Sequence, residues 1–149
     1  MQALRTFIEE QRKLWDVPGC AVGVIRGGDV LLNGGFGTRE LGTSSPVSSR
    51  TIFPIGSTTK SFTAAAVGAL VDDGLLEWDR PVRDAILGFA MHDAVATERI
   101  TVRDLLSHRS GLPRHEFVWL GHPDRTRADL VRRLRYLPPS KDIREAFQY

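Results

Sequence analysis

The sequence has a single cysteine and no hydrophobic run of membrane-spanning length. Cys20 cannot form an internal disulfide, and because it lies in the apolar stretch 20–25 we expect a buried, unreactive thiol. The N-terminal segment 1–15 lacks the apolar core of a signal peptide, and no later run approaches the ~20 apolar residues that a transmembrane helix needs. We therefore predict a cytoplasmic protein with no membrane partner.

A marked excess of charge of either sign is also missing. Lysine and arginine total 20 and aspartate and glutamate total 18, which gives a net charge of +2. This balance is too even to indicate a nucleic-acid or membrane surface as partner. The basic run 125–135 alternates with acidic and apolar residues, which is typical of the solvated face of a helix. No nucleic-acid partner is expected.

Metal-ligand and phosphate-binding motifs are absent as well. His108, His115 and His122 recur every seven residues, but they lie across a loop that contains glycine and proline, and no cysteine or carboxylate has matching spacing. The glycine-rich segment 34–37 is not followed by the Lys-Ser/Thr pair of a phosphate loop. We predict no metal and no cofactor. We assign His108 to the C-terminal end of a helix dipole and Gly111 to the end of that helix.

The chain does have the composition of a globular protein. Its 149 residues are 42% hydrophobic and 26% charged, which suits one ordinary domain with an apolar core. Only two strands are indicated, and because an isolated hairpin is marginal in water, the sheet is expected to need strands from outside these residues. The pattern predicts helices over 2–15, 57–72, 82–87, 102–109 and 126–136, strands over 20–26 and 29–34, and an exposed loop over 42–51.

Ser57 and Lys60 stand three residues apart at the start of the predicted helix 57–72. At this spacing two helical side chains share a face, with Cβ atoms about 5–6 Å apart. A serine hydroxyl becomes a nucleophile when an adjacent base accepts its proton, and lysine is such a base only when it is neutral. The positive end of the helix dipole favours both the neutral amine and negative charge on the serine oxygen.

An ordinary helix cap is the competing interpretation of Ser57. Serine is a preferred N-cap residue, and Ser-x-x-Lys also arises by chance. A capping box, however, carries Glu or Gln three residues after the cap, whereas Lys60 places a cation at the unfavourable end of the dipole. Spacing alone leaves both interpretations open, although a residue that opposes its local preference is a candidate for function.

Three segments, in order, resemble one family of enzymes. Residues 51–64, TIFPIGSTTKSFTA, closely resemble the active-site segment of the class C β-lactamase and D-Ala-D-Ala peptidase-like serine hydrolases, a family that also contains esterases. Residues 73–82 resemble the turn after the active-site helix of that family, and residues 100–113 resemble its second helix and loop. The resemblance implies an α/β (α+β) fold with an antiparallel sheet flanked by a helical cluster. Residues 1–149 would then form the N-terminal part of one β-lactamase-like domain.

The same resemblance gives a role to Tyr149. In the family a Tyr-x-Asn motif follows Ser-x-x-Lys at about this distance, and Tyr149 lies 89 residues after Lys60. Tyr149 would then be the phenol that relays the proton between Ser57 and the leaving group. The asparagine and the C-terminal Lys/His-x-Gly strand of the family fall outside the 149 residues. We therefore expect fold and site to need a C-terminal half, as a separate or missing segment.

The function implied by the resemblance is acyl transfer without a cofactor. Ser57 would attack a carbonyl, Lys60 would accept its proton, and the backbone N–H of Ser57 would supply half of the oxyanion hole. The expected partner is a small ester or amide, and the family's esterases, D-amino-acid peptidases and β-lactamases are not separated, although the missing leader favours an esterase or small-amide hydrolase. The alternatives are a catalytically incomplete binding or regulatory module of the same fold, and a penicillin-binding protein without turnover.

Overall fold

The computed structural model describes every residue from Met1 to Tyr149. The chain divides into two compact units, Met1–Gly56 and Ser57–Tyr149, which are described separately. None of the helices is both long and apolar enough to cross a membrane.

The N-terminal unit consists of one helix and one β-hairpin. Helix α1 (Gln2–Leu14) precedes strands β1 (Gly19–Arg26) and β2 (Asp29–Gly37), which pair antiparallel as a two-stranded sheet. Gly27 and Gly28 form the hairpin turn with positive φ angles of 60° and 90°, a conformation that glycine adopts without steric cost. The predicted hairpin is therefore present.

Strand β2 runs three residues beyond its predicted end at residue 34. A Cβ atom on Gly35 would lie 2.2 Å from the carbonyl oxygen of Val47, so only glycine lets this neighbouring segment come so close. Val47 is buried, and its N–H donates to the carbonyl of Gly37. Cys20, which was expected to be buried, is only half-buried, because nothing covers that part of the two-stranded sheet fully.

The C-terminal unit is helical. Its core is formed by the buried side chains of Val82, Phe89, Met91, Ala96 and Ile100, of which Ile100 is fully enclosed. A short helix that the sequence did not indicate begins at Asp93, whose carboxylate accepts the N–H of Ala96. The helices are α2 (Thr59–Asp72), α3 (Val82–Ala85), α4 (Ala94–Arg99), α5 (Val102–Leu106) and α6 (Arg127–Arg133), with 3₁₀ turns at Gly56–Thr58, Glu116–Val118 and Leu134–Tyr136.

Helix α5 ends three residues earlier than predicted. It begins with a capping box in which Thr101 and Asp104 each bind the other's backbone N–H. It ends at Leu106, and two residues later His108 takes the left-handed conformation with a φ of 56°, at a position where helices commonly place glycine. The assignment of Gly111 to this helix end is therefore wrong. A Cβ on Gly111 would lie 2.2 Å from the carbonyl oxygen of Lys141, so this glycine admits a neighbouring segment instead.

Helix α2 is apolar on all sides and yet has no buried residue. No charged side chain occurs from Ser61 to Val71, and Phe62 is 65% exposed. A helix that is hydrophobic all round is normally enclosed by protein. The faces of α2 are therefore surfaces that a folded protein would be expected to cover.

Candidate active site

Ser57 and Lys60 lie on either side of the start of α2. Ser57 belongs to the 3₁₀ turn Gly56–Thr58, and Lys60 belongs to the first turn of the helix. The N-cap residue of α2 is Thr58, and no side chain caps this helix end. The cap interpretation of Ser57 is therefore wrong. Its Oγ instead accepts a hydrogen bond from Nζ of Lys60 at 3.2 Å.

Tyr149 reaches the same oxygen from the other end of the unit. Its phenol hydroxyl donates to Oγ of Ser57 at 2.7 Å, although the two residues are 92 positions apart in the chain. Nζ of Lys60 lies 5.0 Å from the centre of the Tyr149 ring. All three side chains singled out by the sequence thus meet at one hydroxyl, and all three are exposed.

The surroundings of Tyr149 make its phenol more acidic. The contact with Ser57 lowers the pKa of Tyr149 most, the nearby amine of Lys60 lowers it next, and these effects outweigh the desolvation that raises it. The charges of Lys60 and Arg114 act in the same direction, and the guanidinium of Arg114 lies 5.8 Å from the ring centre. Arg114 itself is paired with Glu116. The phenol can therefore exchange its proton at lower pH than an isolated tyrosine does.

His108 is the contact of the site that sequence reasoning missed. Its ring lies 4.8 Å from the ring of Tyr149 and 5.5 Å from that of Phe147, centre to centre. Its carbonyl accepts the N–H of Gln148 at 2.8 Å. The assignment of His108 to a helix dipole overlooked these contacts, because neither its spacing nor its residue type indicates a partner so far along the chain.

No three side chains of the metal-binding types His, Cys, Asp and Glu come together. The seven-residue series does not form a cluster, and Nε2 of His115 instead lies 3.2 Å from the carbonyl oxygen of Pro138.

The geometry agrees with what comparison with known proteins shows. The sequence profile of the beta-lactamase family matches residues 4–149. The chain belongs to the beta-lactamase family. The predicted family and the predicted fold class are thereby confirmed, and the family as a whole supports serine-hydrolase chemistry.

Among curated proteins this family member is similar to two fungal hydrolases. It is 40% identical to the unguisins hydrolase of Aspergillus campestris, with 99% of this chain and 29% of that protein aligned. It is 37% identical to the unguisins hydrolase of Aspergillus violaceofuscus, with 95% of this chain and 26% of that protein aligned.

Two solved structures share its fold. The octameric penicillin-binding protein homologue from Pyrococcus abyssi superposes with a TM-score of 0.79 at 30% identity, over 99% of this chain and 35% of that one. The D-amino acid amidase from Ochrobactrum anthropi SV3 gives 0.79 at 25% identity, over 100% of this chain and 41% of that one. The β-lactamase-family chain thus spans between a quarter and two fifths of the length of these relatives.

Proposed function

We propose that the protein is a serine hydrolase that cleaves a small ester or amide through a covalent acyl-enzyme. The observation that carries the proposal is the meeting of two proton-exchanging groups at one hydroxyl. Nζ of Lys60 lies 3.2 Å and the phenol of Tyr149 lies 2.7 Å from Oγ of Ser57. A nucleophile within hydrogen-bond reach of its base, with a further oriented group beside it, is the arrangement that covalent catalysis requires.

Acylation begins with attack of Oγ of Ser57 on the substrate carbonyl. The hydroxyl proton passes to the neutral amine of Lys60, and the carbonyl oxygen becomes an oxyanion. The backbone N–H of Ser57 supplies one hydrogen bond to this oxyanion, and removal of such a donor typically costs about 3–4 kcal/mol of transition-state stabilisation.

Collapse of this intermediate breaks the bond to the leaving group. The leaving oxygen or nitrogen takes the phenol proton of Tyr149, and Lys60 returns its own proton to Tyr149, so that both groups regain their starting states. The lowered pKa of Tyr149 suits this exchange, since general acids work best when their pKa lies near the operating pH. Water then attacks the acyl carbon by the reverse sequence and releases the acid.

Small amides and esters rank ahead of β-lactams as substrates in this proposal. One structural relative is a D-amino acid amidase, and the two curated relatives are named as hydrolases of unguisins. The site itself is exposed.

A C-terminal remainder of the same domain is part of the proposal. Helix α2 offers apolar faces that nothing buries, and a two-stranded sheet is marginal without further strands. The relatives extend well beyond the region that they share with this chain. We propose that further residues, in the same or a separate chain, cover α2, extend the sheet and complete the oxyanion hole.

Labelling with a fluorophosphonate tests the nucleophile in the protein as its gene encodes it. We expect one adduct, located on Ser57 by mass spectrometry and absent in Ser57→Ala. Ser61→Ala is the matched control, because Ser61 lies one turn further along α2 and only bonds the carbonyl of Thr58, at 2.7 Å. An adduct that persists in Ser57→Ala would refute the assignment.

Turnover assays separate the remaining candidates. We expect release of p-nitrophenol from its butyrate ester, or of ammonia from a D-amino acid amide, faster than hydrolysis of a chromogenic cephalosporin. Faster cephalosporin turnover would contradict the ranking. Similarity to a penicillin-binding protein homologue favours a second candidate, a penicillin-binding protein without turnover, which would form a stable penicillin adduct on Ser57 that water does not release. The absence of any adduct would indicate a binding or regulatory module.

A further inference from the structure

The turn after α5 holds the C-terminal segment that carries Tyr149. His108 has a φ of 56° in this turn, a conformation that is uncommon for residues other than glycine, although asparagine, aspartate and histidine adopt it more often than the rest. In this conformation its carbonyl accepts the N–H of Gln148, at 2.8 Å. The left-handed backbone at His108 therefore places a main-chain hydrogen bond next to the proposed catalytic phenol.

The ring of His108 contacts two aromatic rings of the same segment. It is tilted by 51° against Tyr149 at 4.8 Å and meets Phe147 nearly edge-on, at 80° and 5.5 Å. Both geometries are within the range in which aromatic pairs attract each other. No hydrogen bond joins either ring nitrogen to Ser57, Lys60 or Tyr149. The His108 ring thus touches the Tyr149 ring by packing alone, and no hydrogen bond lets its imidazole exchange a proton with the phenol.

The elements that carry His108 and Tyr149 are fixed to each other nearby. The carboxylate of Asp104 in α5 accepts three hydrogen bonds from Arg144, at 3.0, 3.1 and 2.8 Å. The N–H of Arg144 in turn donates to the carbonyl of Arg109 at 2.9 Å. Segments 104–109 and 144–149 are therefore joined at several points, with His108 nearest to the phenol.

We propose that His108 is a positioning residue that sets the distance between the phenol of Tyr149 and Oγ of Ser57. Its carbonyl fixes the backbone of Gln148, and its ring limits the movement of the Tyr149 ring. The other charged groups that face the phenol are Lys60 from α2 and Arg114 from the loop after α5, and neither contacts the backbone of Gln148. The catalytic consequence of this inference rests on the proposed function, whereas its structural consequence does not.

Three substitutions of His108, made in the full gene product, separate the effect of its ring from the effect of its backbone conformation. His108→Asn and His108→Gly tolerate a left-handed backbone but lack the ring, whereas His108→Phe keeps an aromatic ring without an imidazole. His92→Asn, at an exposed histidine, is the control for the chemical change. The measurements are the rate of Ser57 acylation by a D-amino acid amide, whose leaving nitrogen takes the phenol proton, and the pH titration of Tyr149, followed by ¹³C NMR of the labelled phenol and assigned by its loss in Tyr149→Phe.

We expect both variants without a ring to acylate about a hundredfold more slowly, the scale of a misplacement of about 1 Å at a reacting group. The pKa of Tyr149 should rise towards its ordinary value in both, since the phenol is no longer held against Ser57 and Lys60. His108→Phe, whose bulky side chain is strained in a left-handed backbone, should still recover most of the rate and keep a near-native titration, and His92→Asn should equal the wild type.

Wild-type acylation and titration in His108→Asn and His108→Gly would overturn the proposal. A slow acylation rate in His108→Phe as well, combined with an unchanged titration of Tyr149, would also overturn it, because the imidazole itself would then have the role. Unfolding of both variants without a ring would make His108 a residue of the core and not a positioning residue. If the wild type forms no adduct on Ser57, the proposed function fails, and the phenol titration alone decides whether His108 positions Tyr149.

Discussion

At the scale of single residues, the site is organised around one hydroxyl oxygen. Oγ of Ser57 accepts hydrogen bonds from an amine and a phenol that come from opposite ends of the C-terminal unit. Lys60 has two separable effects in this arrangement. It is the proposed base for Ser57, and once it has accepted the proton its positive charge lowers the pKa of Tyr149.

Substitution of Lys60 by methionine and by arginine should separate these two effects. Lys60→Met removes both, so the pKa of Tyr149 should rise, measured by NMR of the labelled phenol, and acylation of Ser57 should cease. Lys60→Arg carries the charge that Lys60 has once protonated but cannot act as a base, so the pKa of Tyr149 should stay low while acylation is lost. Lys13→Met, at an exposed lysine of α1, is the control. Wild-type acylation by Lys60→Arg would show that Lys60 is not the base.

The residues of the site differ in how far the sequence could predict them. Ser57 and Lys60 are neighbours on one helical turn, so their spacing alone indicates that their side chains approach each other. Tyr149 was found only through family resemblance, because no local rule connects residues so far apart. His108 could not be found at all, since its contact with Tyr149 depends on the left-handed turn after α5, which no local sequence pattern indicates.

At the scale of elements, helix α5 holds the C-terminal segment that carries Tyr149, through the hydrogen bonds of Asp104 with Arg144. The carboxylate of Asp104 closes the capping box at the start of the helix and also receives Arg144, while being only 3% exposed. Burial alone raises the pKa of Asp104, but hydrogen bonds from Arg144 and Thr101 outweigh it and hold the pKa below its ordinary value. The ionised form of Asp104 is therefore the form that the fold stabilises.

Arg144→Met should destabilise the protein and change its response to acid. Loss of the partner of a buried carboxylate costs about 3 kcal/mol in the free energy of unfolding at neutral pH, the low end of the usual range because Arg144 is partly exposed. Denaturant unfolding measures this loss. Lys141→Met, which breaks the exposed pair with Glu145, should leave stability unchanged.

The pH dependence of stability follows from the direction of the Asp104 shift. A carboxyl whose folded pKa is lowered contributes stability above its unfolded pKa, about 3.9, and this stability is lost as the pH falls through the folded value. Without Arg144 the pKa of Asp104 rises. Acid unfolding of Arg144→Met should therefore begin at higher pH than that of the wild type, and coincident acid transitions would contradict this account of Asp104.

Elements were predicted best where local pattern and tertiary environment agree. The hairpin and α2 follow from glycine turn chemistry and an alanine-rich run, and both are present. The end of β2 was missed because Gly35 and Gly37 have low strand propensity. The close approach of Val47 explains Gly35, and that of the Pro18 carbonyl explains Gly37. Helix α4 was missed because six residues show too little periodicity.

At the scale of the whole molecule, family and fold class were predictable, whereas the surroundings of the hairpin and of α2 were not. The order of three motif segments identified the family, which the profile match over residues 4–149 confirms. A two-stranded sheet and a helix without buried residues that carries no charge from Ser61 to Val71 are physically incomplete surfaces. Their completion by further residues is part of the proposed function.

Phe62→Ala in the full gene product tests whether the faces of α2 are covered. If further residues enclose α2, truncation of this ring should cost about 3–5 kcal/mol in the free energy of unfolding, as for a buried phenylalanine. If Phe62 stays 65% exposed, the change should be within about 0.5 kcal/mol, as for a surface residue. Ile100→Val, at a fully buried core position, calibrates the assay at about 1 kcal/mol. A loss at Ile100 without one at Phe62 would mean that α2 is a true outer surface, and the remainder would then have to complete the site without packing on this helix.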